Sequence, residues 1–211
     1  MYQPPHFREL DLAAMHALIR ARPLGLLVSG GEAGLMANPV PFTLDAAAGT
    51  RGTLRCHLAR PNAQWRALQS APDALIVFQG VDGYVTPSWY ETKRETGRVV
   101  PTWNYAIVQA RGTARVIEDT GWLRAQVDAL TAVHEGPRAA PWAVEDAPAE
   151  FVAGQLRGIV GVEIEIATIE GKWKVSQNRP EADRRGVAEG FAAEQDAAEM
   201  SALVRAYGKL S

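Results

Sequence analysis

The sequence predicts a mainly β protein with flanking helices, an α+β fold built around an antiparallel barrel. Apolar or alternating segments of strand length recur through the middle of the chain, and most stretches between them are too short for a crossover helix. Helical patterns are confined to the two ends and to two connections. With 211 residues, 47% of them hydrophobic, the chain can bury one full core.

The first elements are a short helix, a buried strand and a strand at an edge. Asp11 is placed to cap the helix, and Pro23 ends it. The apolar run 24–29 predicts a buried strand, followed by a turn at two glycines. Pro39 and Pro41 both remove donors from one side of the next strand, within 34–44, so that strand is expected at an edge or rim.

The middle of the chain alternates two strands with a helix. Residues 53–58 alternate as a strand, Asn62 can cap a helix that begins near Ala63, and 74–80 forms another buried strand. A charged loop then separates two aromatic segments. The clearest alternation follows, over 106–117.

The last third mixes helices and strands. Asp119 or Thr120 caps a helix that ends at Gly136, and a connector rich in Pro and Ala covers 138–148. Residues 160–167 predict a strand with one polar face. A turn at Glu170 and Gly171 and a strand over 172–175 come next. A single final helix is predicted from about residue 187, within a helical tail over 181–211.

Composition and motifs exclude several classes of function. The chain has 22 basic and 24 acidic residues, which gives no general attraction for nucleic acid or anionic membranes. No apolar run approaches the roughly 20 residues that span a bilayer, and the lone Cys56 fits a cytoplasmic protein. Dinucleotide, phosphate-loop and serine-hydrolase motifs are absent, and the four histidines lack metal-ligand spacing, so no metal is predicted.

Five aromatic residues lie between Tyr84 and Tyr105, although the whole chain is only 8% aromatic. Aromatic rings beside Asn, Ser and Thr side chains can stack on a flat heterocycle while polar groups orient it, as in a cofactor pocket. A tryptophan-rich core is an equally good interpretation, because these residue types are mostly buried for packing.

A second candidate is the predicted junction of strand and helix at His57, Arg60 and Asn62. Backbone donors and a guanidinium can converge there, and such a place suits a phosphate group. The alternative is a capped helix with a solvated arginine. Cys56 is interpreted as a small core residue and not as a nucleophile.

Six motifs in one order resemble the PaiB family, described as FMN-binding negative transcriptional regulators. The resemblance covers about residues 1–190 and is carried by these segments: 1–4 with Phe7, 38–42, 57–65, 84–90, 101–105 and 174–179.

The resemblance implies a flavin-reductase-like split β-barrel of Greek-key type over 1–180, with the tail 181–211 packing on the barrel or on a partner. It further implies a homodimer with FMN at the subunit interface. The cofactor-binding residues implied near the phosphate and ribityl chain are Asn38, His57, Leu58, Ala59, Arg60, Asn62 and Trp65. Those implied from other strands, or from the partner subunit, are Ser88, Trp89, Tyr90, Thr102, Trp103, Asn104, Lys174, Ser176, Gln177 and Arg179.

One departure from the family pattern falls at Asn38 and Pro39, where the family usually has a hydroxyl residue followed by a histidine. Asn38 keeps its capacity for hydrogen bonds, but Pro39 offers neither a titrating ring nor a backbone donor. Whatever role that histidine has in the family is therefore not expected in this chain.

Three functions remain open at this stage. The first is an FMN-binding protein with oxidoreductase activity, in which the flavin carries the redox chemistry. The second is a transcriptional repressor with a DNA partner, although the chain shows no helix-turn-helix pattern and its tail carries four basic against six acidic residues. The third is a haem-binding or haem-degrading protein that would use His6, His16, His57 or His134.

Overall fold

A computed structural model describes residues 1–31 and 34–210 and contains one eight-stranded antiparallel sheet flanked by helices. The strand order is β3-β2-β6-β7-β8-β5-β4, with β1 paired to β8. The strands are β1 (Arg8–Glu9), β2 (Leu24–Ser29), β3 (Met36–Pro41), β4 (Thr43–Asp45), β5 (Thr53–Ala59), β6 (Asp73–Val85), β7 (Thr102–Ile117) and β8 (Ile159–Lys174). The predicted fold class is therefore confirmed at the level of an α+β protein.

Seven helices accompany the sheet in the described part of the chain. They are α1 (Leu12–Ala21), α2 (Gln64–Ser70), α3 (Glu91–Thr96), α4 (Thr120–Glu135), α5 (Ala149–Arg157), α6 (Glu181–Ala193) and α7 (Ala198–Gly208). The Asp119 side chain caps α4 by accepting from the backbone N–H of Trp122 at 2.8 Å, as the sequence predicts. The strand with the two prolines, β3, lies at an edge of the sheet, also as predicted.

Two compact units divide the chain. The first unit comprises Met1–Asp11, Gln79–Val108 and Glu170–Ser211, and the second comprises Leu12–Phe78 and Gln109–Ile169. The strands β6, β7 and β8 each contribute residues to both units.

The core of the second unit is built from the inward residues of its paired strands. Cys56 of β5 lies opposite Val162 of β8, and both are fully buried. Leu27 and Ile76 occupy the equivalent places in the β2–β6 pair. Burial raises the pKa of the Cys56 thiol above its ordinary value, because the thiolate would lose its hydration. The interpretation of Cys56 as a core residue is confirmed.

The first unit places α6 against the aromatic segment that follows β6. Trp89 packs edge-on against Phe191 of α6, with the ring centroids 5.0 Å apart. A Cβ atom at Gly190 would lie 2.3 Å from the Trp89 ring, so only glycine permits this approach. Ser201 of α7 donates a 2.7 Å hydrogen bond to the carbonyl of Ala188 and ties the last helix to α6.

Three expectations about the elements are wrong. The charged loop between the two aromatic segments contains α3, and α5 lies between the connector and β8, in residues to which the sequence analysis assigned no element. The turn at Glu170 and Gly171 is absent, because both residues lie inside the continuous strand β8. The tail forms α6 and α7 instead of one helix; its last residue, Ser211, lies outside the described residues. Within β7, the alternation expected over 106–117 is present: Ala106, Val108, Ala110 and Ala114 are buried on one face, and near the end of the strand Ile117 is buried and Val116 is not.

Candidate functional site

The predicted site residues form two clusters, and each cluster lies within one unit. The corner cluster of the second unit contains Asn38, His57, Leu58, Ala59, Arg60, Asn62 and Trp65. The aromatic cluster of the first unit contains Ser88, Trp89, Tyr90, Thr102, Trp103, Asn104, Lys174, Ser176, Gln177 and Arg179.

Arg60 has a full set of partners inside the second unit. Its guanidinium donates to the carbonyls of Arg157 at 2.9 Å and Ile159 at 3.2 Å, and to the Glu118 carboxylate at 2.6 Å. Its backbone N–H donates to the carbonyl of Gly158 at 2.8 Å. The side chain therefore fixes the end of α5 and the start of β8, and Glu118 compensates its charge.

The start of α2 is held by the residues that follow Arg60. Asn62 accepts a 2.9 Å hydrogen bond from the backbone N–H of Gln64, the first residue of α2, but the N-cap position falls on Ala63 and not on Asn62 as predicted. The indole of Trp65 is buried and donates to the carbonyl of Arg60 at 2.9 Å. Leu58 is buried in the core, and Ala59 is exposed. Leu58 can therefore approach a ligand only through its backbone.

Asn38 is connected to α2 through Gln64, a residue that the sequence did not single out. The Asn38 amide donates to the Gln64 side chain at 2.9 Å. Gln64 is fully buried and donates to the carbonyl of Leu27 at 2.9 Å and to the hydroxyl of Ser29 at 3.1 Å. This network joins β3, α2 and β2, so the family departure at Asn38 carries a structural hydrogen bond here.

His57 is the least satisfied residue of the corner cluster. Its Nδ1 atom is buried and has no hydrogen-bond partner among residues 1–31 and 34–210. Burial lowers the pKa of His57 below its ordinary value, because the charged ring would lose hydration. The ring is therefore neutral at pH 7 and offers an uncommitted nitrogen.

The aromatic residues of the first unit divide between packing and exposure. Trp89 packs on α6, and the Tyr90 side chain is 1% exposed, as the core interpretation expects. Trp103 is 54% exposed and meets Tyr84 edge to face, with centroids 6.1 Å apart, as a stacking surface requires. Ser88 is exposed and accepts a 3.0 Å hydrogen bond from Lys93.

A buried amide and hydroxyl join β7 to the end of β8. Asn104 is fully buried, and its amide nitrogen donates to the Ser176 hydroxyl at 3.0 Å, while that hydroxyl donates to the Asn104 amide oxygen at 3.1 Å. Ser176 has a φ of 67°, a left-handed conformation that is costly for a residue with a Cβ atom. The Gln177 side chain accepts from the backbone N–H of Val175 at 2.8 Å and holds this turn.

Three cations, Lys172, Lys174 and Arg179, lie close together beside tyrosine rings, and we refer to them as the cationic group. Lys174 donates to the Thr102 hydroxyl at 2.6 Å and to the carbonyl of Trp103. Burial, followed by the charges of Lys172 and Arg179, lowers the pKa of Lys174 below its ordinary value. Within the described ranges, no carboxylate lies within ion-pair distance of any of the three.

Sequence reasoning missed Gln64 and Lys172. Gln64 gives no signal in the sequence, since its side-chain partners Leu27, Ser29 and Asn38 are 26 to 37 residues away along the chain. Lys172 stands two residues before Lys174, and side chains two apart on a strand share a face. That spacing was visible, but the expected turn at Glu170 and Gly171 hid the continuous strand. Among the described residues, no group of three His, Cys, Asp or Glu side chains is arranged to hold a metal ion.

Comparison with known proteins identifies the class. Residues 1–168 match the family model described as "Putative FMN-binding domain". An uncharacterized protein of Emericella nidulans is 35% identical over 226 residues, which cover 90% of each chain. The protease synthase and sporulation protein PAI 2 of Bacillus subtilis is 28% identical over 196 residues, which cover 93% of this chain and 91% of that protein.

The chain belongs to this FMN-binding family, its cofactor is FMN, and the resemblance to PaiB is confirmed. The solved structure of the FAD and haem binding protein of Mycobacterium smegmatis shares the fold, with a TM-score of 0.58 and 19% identity. That similarity covers 79% of this chain and 73% of that one. The split-barrel fold class is confirmed. In the described part of the chain, no helix is both long and apolar enough to cross a membrane.

Proposed function

We propose that this protein is a cytoplasmic FMN-dependent oxidoreductase or redox-linked regulator, and that the corner cluster and the aromatic cluster each offer candidate residues for binding FMN. The observation that supports this proposal most strongly is the cationic group beside Thr102, the exposed Trp103 and the Asn104–Ser176 pair. Such a set provides positive charge for an anionic cofactor, an aromatic face for a flat ring and polar groups that orient it. Bound FMN supplies the redox chemistry.

The residues of both clusters fit a flavin. The His57 Nδ1 atom and the Tyr90 hydroxyl are buried without hydrogen-bond partners among the described residues, and each can serve a ligand. Lys174 lies on a neighbouring strand from Trp103 and directs its ammonium toward that residue's carbonyl. The Lys174 ammonium is therefore a hydrogen-bond donor held beside the exposed indole of Trp103.

An FMN titration of the purified protein tests the proposal. We expect the flavin absorption bands to shift on binding, and FMN to raise the melting temperature, because a ligand that binds only the folded state stabilises it. Lys174→Ala and Arg60→Ala, compared with the exposed Lys209→Ala, ask which cluster contributes to the affinity. Protein that is colourless and gains no stability from FMN would contradict the proposal.

Oxidoreductase activity requires that the bound flavin accept electrons. We expect nicotinamide donors or dithionite to bleach the bound FMN, and oxygen to restore its absorption. Flavin that binds but resists reduction by either nicotinamide would favour the regulatory role over the enzymatic one.

We also propose that the protein acts as a homodimer with FMN at the subunit interface. The exposed Trp103 and Tyr84 are large apolar side chains that a partner subunit can cover. Light scattering coupled to size exclusion measures the mass, and a 22.9 kDa species at micromolar concentration would contradict the dimer.

Direct DNA binding is the second candidate, supported by the resemblance to the PaiB family, described as transcriptional regulators, and by the uncompensated cationic group. The formal net charge of −2 makes it weaker than FMN binding. A gel shift against the protein's own promoter region at low salt tests it, and no shift there would remove direct binding while leaving regulation through metabolism.

Haem binding is the third candidate, since the Mycobacterium structure is named for FAD and haem. The His16 Nε2–H donates to the carbonyl of Arg51 at 2.9 Å. Among the described residues, the buried Nδ1 atom of His57 has no hydrogen-bond partner, so His57 is the candidate ligand. A haem titration that gives no Soret shift would exclude this candidate.

A further inference from the structure

The strongest unexplained feature of the first unit is positive charge that no acid compensates. Lys172 is only 8% exposed, yet its Nζ atom makes no hydrogen bond or ion pair within the described residues. Its contacts are the rings of Tyr105 at 5.3 Å and Tyr2 at 5.5 Å. A π face stabilises an ammonium far less than water or a carboxylate does, so Lys172 is held at a cost.

The neighbours of Lys172 increase this cost. Lys174 lies on the same face of β8, with its Nζ atom 6.0 Å from the Tyr105 ring that Lys172 also faces. Arg179 stacks over Tyr90 at 4.8 Å, and its charge also acts on Lys174. Arg8 is directly opposite Lys172 in the β1–β8 pair, so a fourth cation is its cross-strand neighbour.

The acids of the first unit that lie near this group have other partners. The Glu170 carboxylate accepts from the N-terminal ammonium at 2.8 Å, and Glu9 accepts from the Tyr207 hydroxyl. Asp183 accepts twice from Thr92, at 2.9 Å to both its backbone N–H and its hydroxyl. The sequence therefore provides acids beside the cationic group but commits each of them elsewhere.

We propose that Lys172, Lys174 and Arg179 form a receptor for a phosphate-class dianion. Two ammonium groups and a guanidinium present donors from three side chains, which suits the several oxygens of a phosphoryl group better than a single chloride. Two negative charges relieve the repulsion among three cations, whereas Arg60 of the corner cluster already has Glu118 as its counterion.

Two sources can supply this chemistry, namely the phosphate of FMN itself and a separate phosphorylated ligand. The first source rests on the proposed FMN function, while the receptor itself does not. Inorganic phosphate is therefore the probe for the receptor, and flavins are used only to identify the source.

The experiment compares the whole protein in phosphate and in chloride at matched ionic strength and pH. We expect phosphate to raise the melting temperature and to give a saturable calorimetric titration. The double variant Lys172→Met and Lys174→Met keeps the apolar stems and should weaken phosphate binding at least tenfold, as should Arg179→Met. Lys209→Met removes an exposed cation from the same unit and should leave the titration unchanged.

Three outcomes would overturn the proposed receptor. Phosphate and chloride could affect the wild type equally, or the double variant could bind phosphate as the wild type does. Lys209→Met could also weaken phosphate binding as much as the double variant does. Circular dichroism and the melting temperature in chloride show whether each variant folds. Should the double variant not fold, Arg179→Met alone decides.

Titrations with FMN and riboflavin then identify the source. If the FMN phosphate occupies the receptor, the double variant loses affinity for FMN but not for riboflavin, and phosphate competes with FMN. If a separate ligand occupies it, phosphate binds the FMN-saturated protein with unchanged affinity. A wild type that binds phosphate but no flavin would contradict the FMN proposal and leave the receptor standing.

Discussion

The corner cluster and the cationic group contain similar basic side chains in opposite electrostatic states. Arg60 donates to two carbonyls and to Glu118, so its charge and its donors are committed to the second unit. Lys172 of the first unit is more deeply buried, and within the described residues its ammonium contacts tyrosine rings and no carboxylate. The comparison teaches that a basic residue within a ligand-binding motif is available to a ligand only if the fold leaves it without a counterion.

The two regions also differ in how their polar groups are satisfied. Gln64, which holds Asn38 of the corner cluster, fulfils both its donor and its acceptor capacity within protein and fixes β2, β3 and α2. In the first unit, the Asn104–Ser176 pair is satisfied, but the Tyr90 hydroxyl has no hydrogen-bond partner among the described residues. We infer that the corner cluster mainly supports the fold, while the first unit holds more capacity for binding.

Among the substitutions that test this comparison, Gln64→Leu has the largest expected effect. The change leaves the Leu27 carbonyl and the Asn38 amide without their partner, and each such group costs about 1 to 3 kcal/mol when buried. We expect a loss of roughly 3 kcal/mol in the free energy of unfolding by urea denaturation. The exposed Gln69→Leu on the same helix is the control, and equal stabilities of the two variants would break the comparison.

A smaller effect is expected at the Asn104–Ser176 pair. Asn104→Ala should cost about 2 kcal/mol, because the Ser176 hydroxyl then lies buried without a partner. Ser176→Ala and Ser176→Gly both remove the hydrogen bond, but glycine also relieves the left-handed backbone. We expect Ser176→Gly to be the more stable by about 1 kcal/mol in thermal unfolding. The reverse order would show that the conformation carries no strain.

The pH dependence of stability tests whether the burial of His57 affects the free energy of unfolding. Its pKa in the folded protein is lowered, so between that value and the ordinary value near 6.5 the unfolded chain binds more protons. Stability therefore falls as the pH drops below about 6.5, and His57→Gln should remove that part of the loss. His134→Gln, on an exposed position of α4, should not. Identical pH profiles for wild type and His57→Gln would contradict the burial argument.

The smallest effect is expected at the Arg60–Glu118 ion pair, whose side chains are 38% and 50% exposed. Solvent screens such pairs, so Glu118→Gln should cost under about 1 kcal/mol. It should also free the Arg60 charge and, if the corner cluster faces the cofactor, tighten FMN binding. Unchanged affinity in a fluorescence titration would place Arg60 among purely structural residues.

Local patterns in the sequence predicted most of the sheet and the cap of α4. The edge position of β3 followed from Pro39 and Pro41, and the cap of α4 followed from Asp119, because each depends on the backbone chemistry of one or two residues. The elements that were missed lack such signals. The short helix α3 has no apolar face, and Glu170 and Gly171 look like a turn although the strand pairing extends β8 through them.

The sequence predicted which residues belong to the candidate site, but not whether the fold already compensates their charges. The sequence pointed to Arg60 and Lys174 with equal force, since both stand in motifs that resemble the family. Only the fold brings Glu118 and the Arg157 carbonyl to Arg60, and these partners are 58 and 97 residues away along the chain. Charge compensation over such separations depends on tertiary structure, which no local pattern encodes.

Cys56 gives this protein a built-in reporter of local opening. It is the single cysteine of the chain, and it lies fully buried between β5 and β8 in the second unit. An alkylating reagent can reach the sulfur only when that core separates, so the rate of labelling measures how often the second unit opens. Experiments on the cations of the first unit can thus be followed with a probe that those substitutions leave chemically untouched.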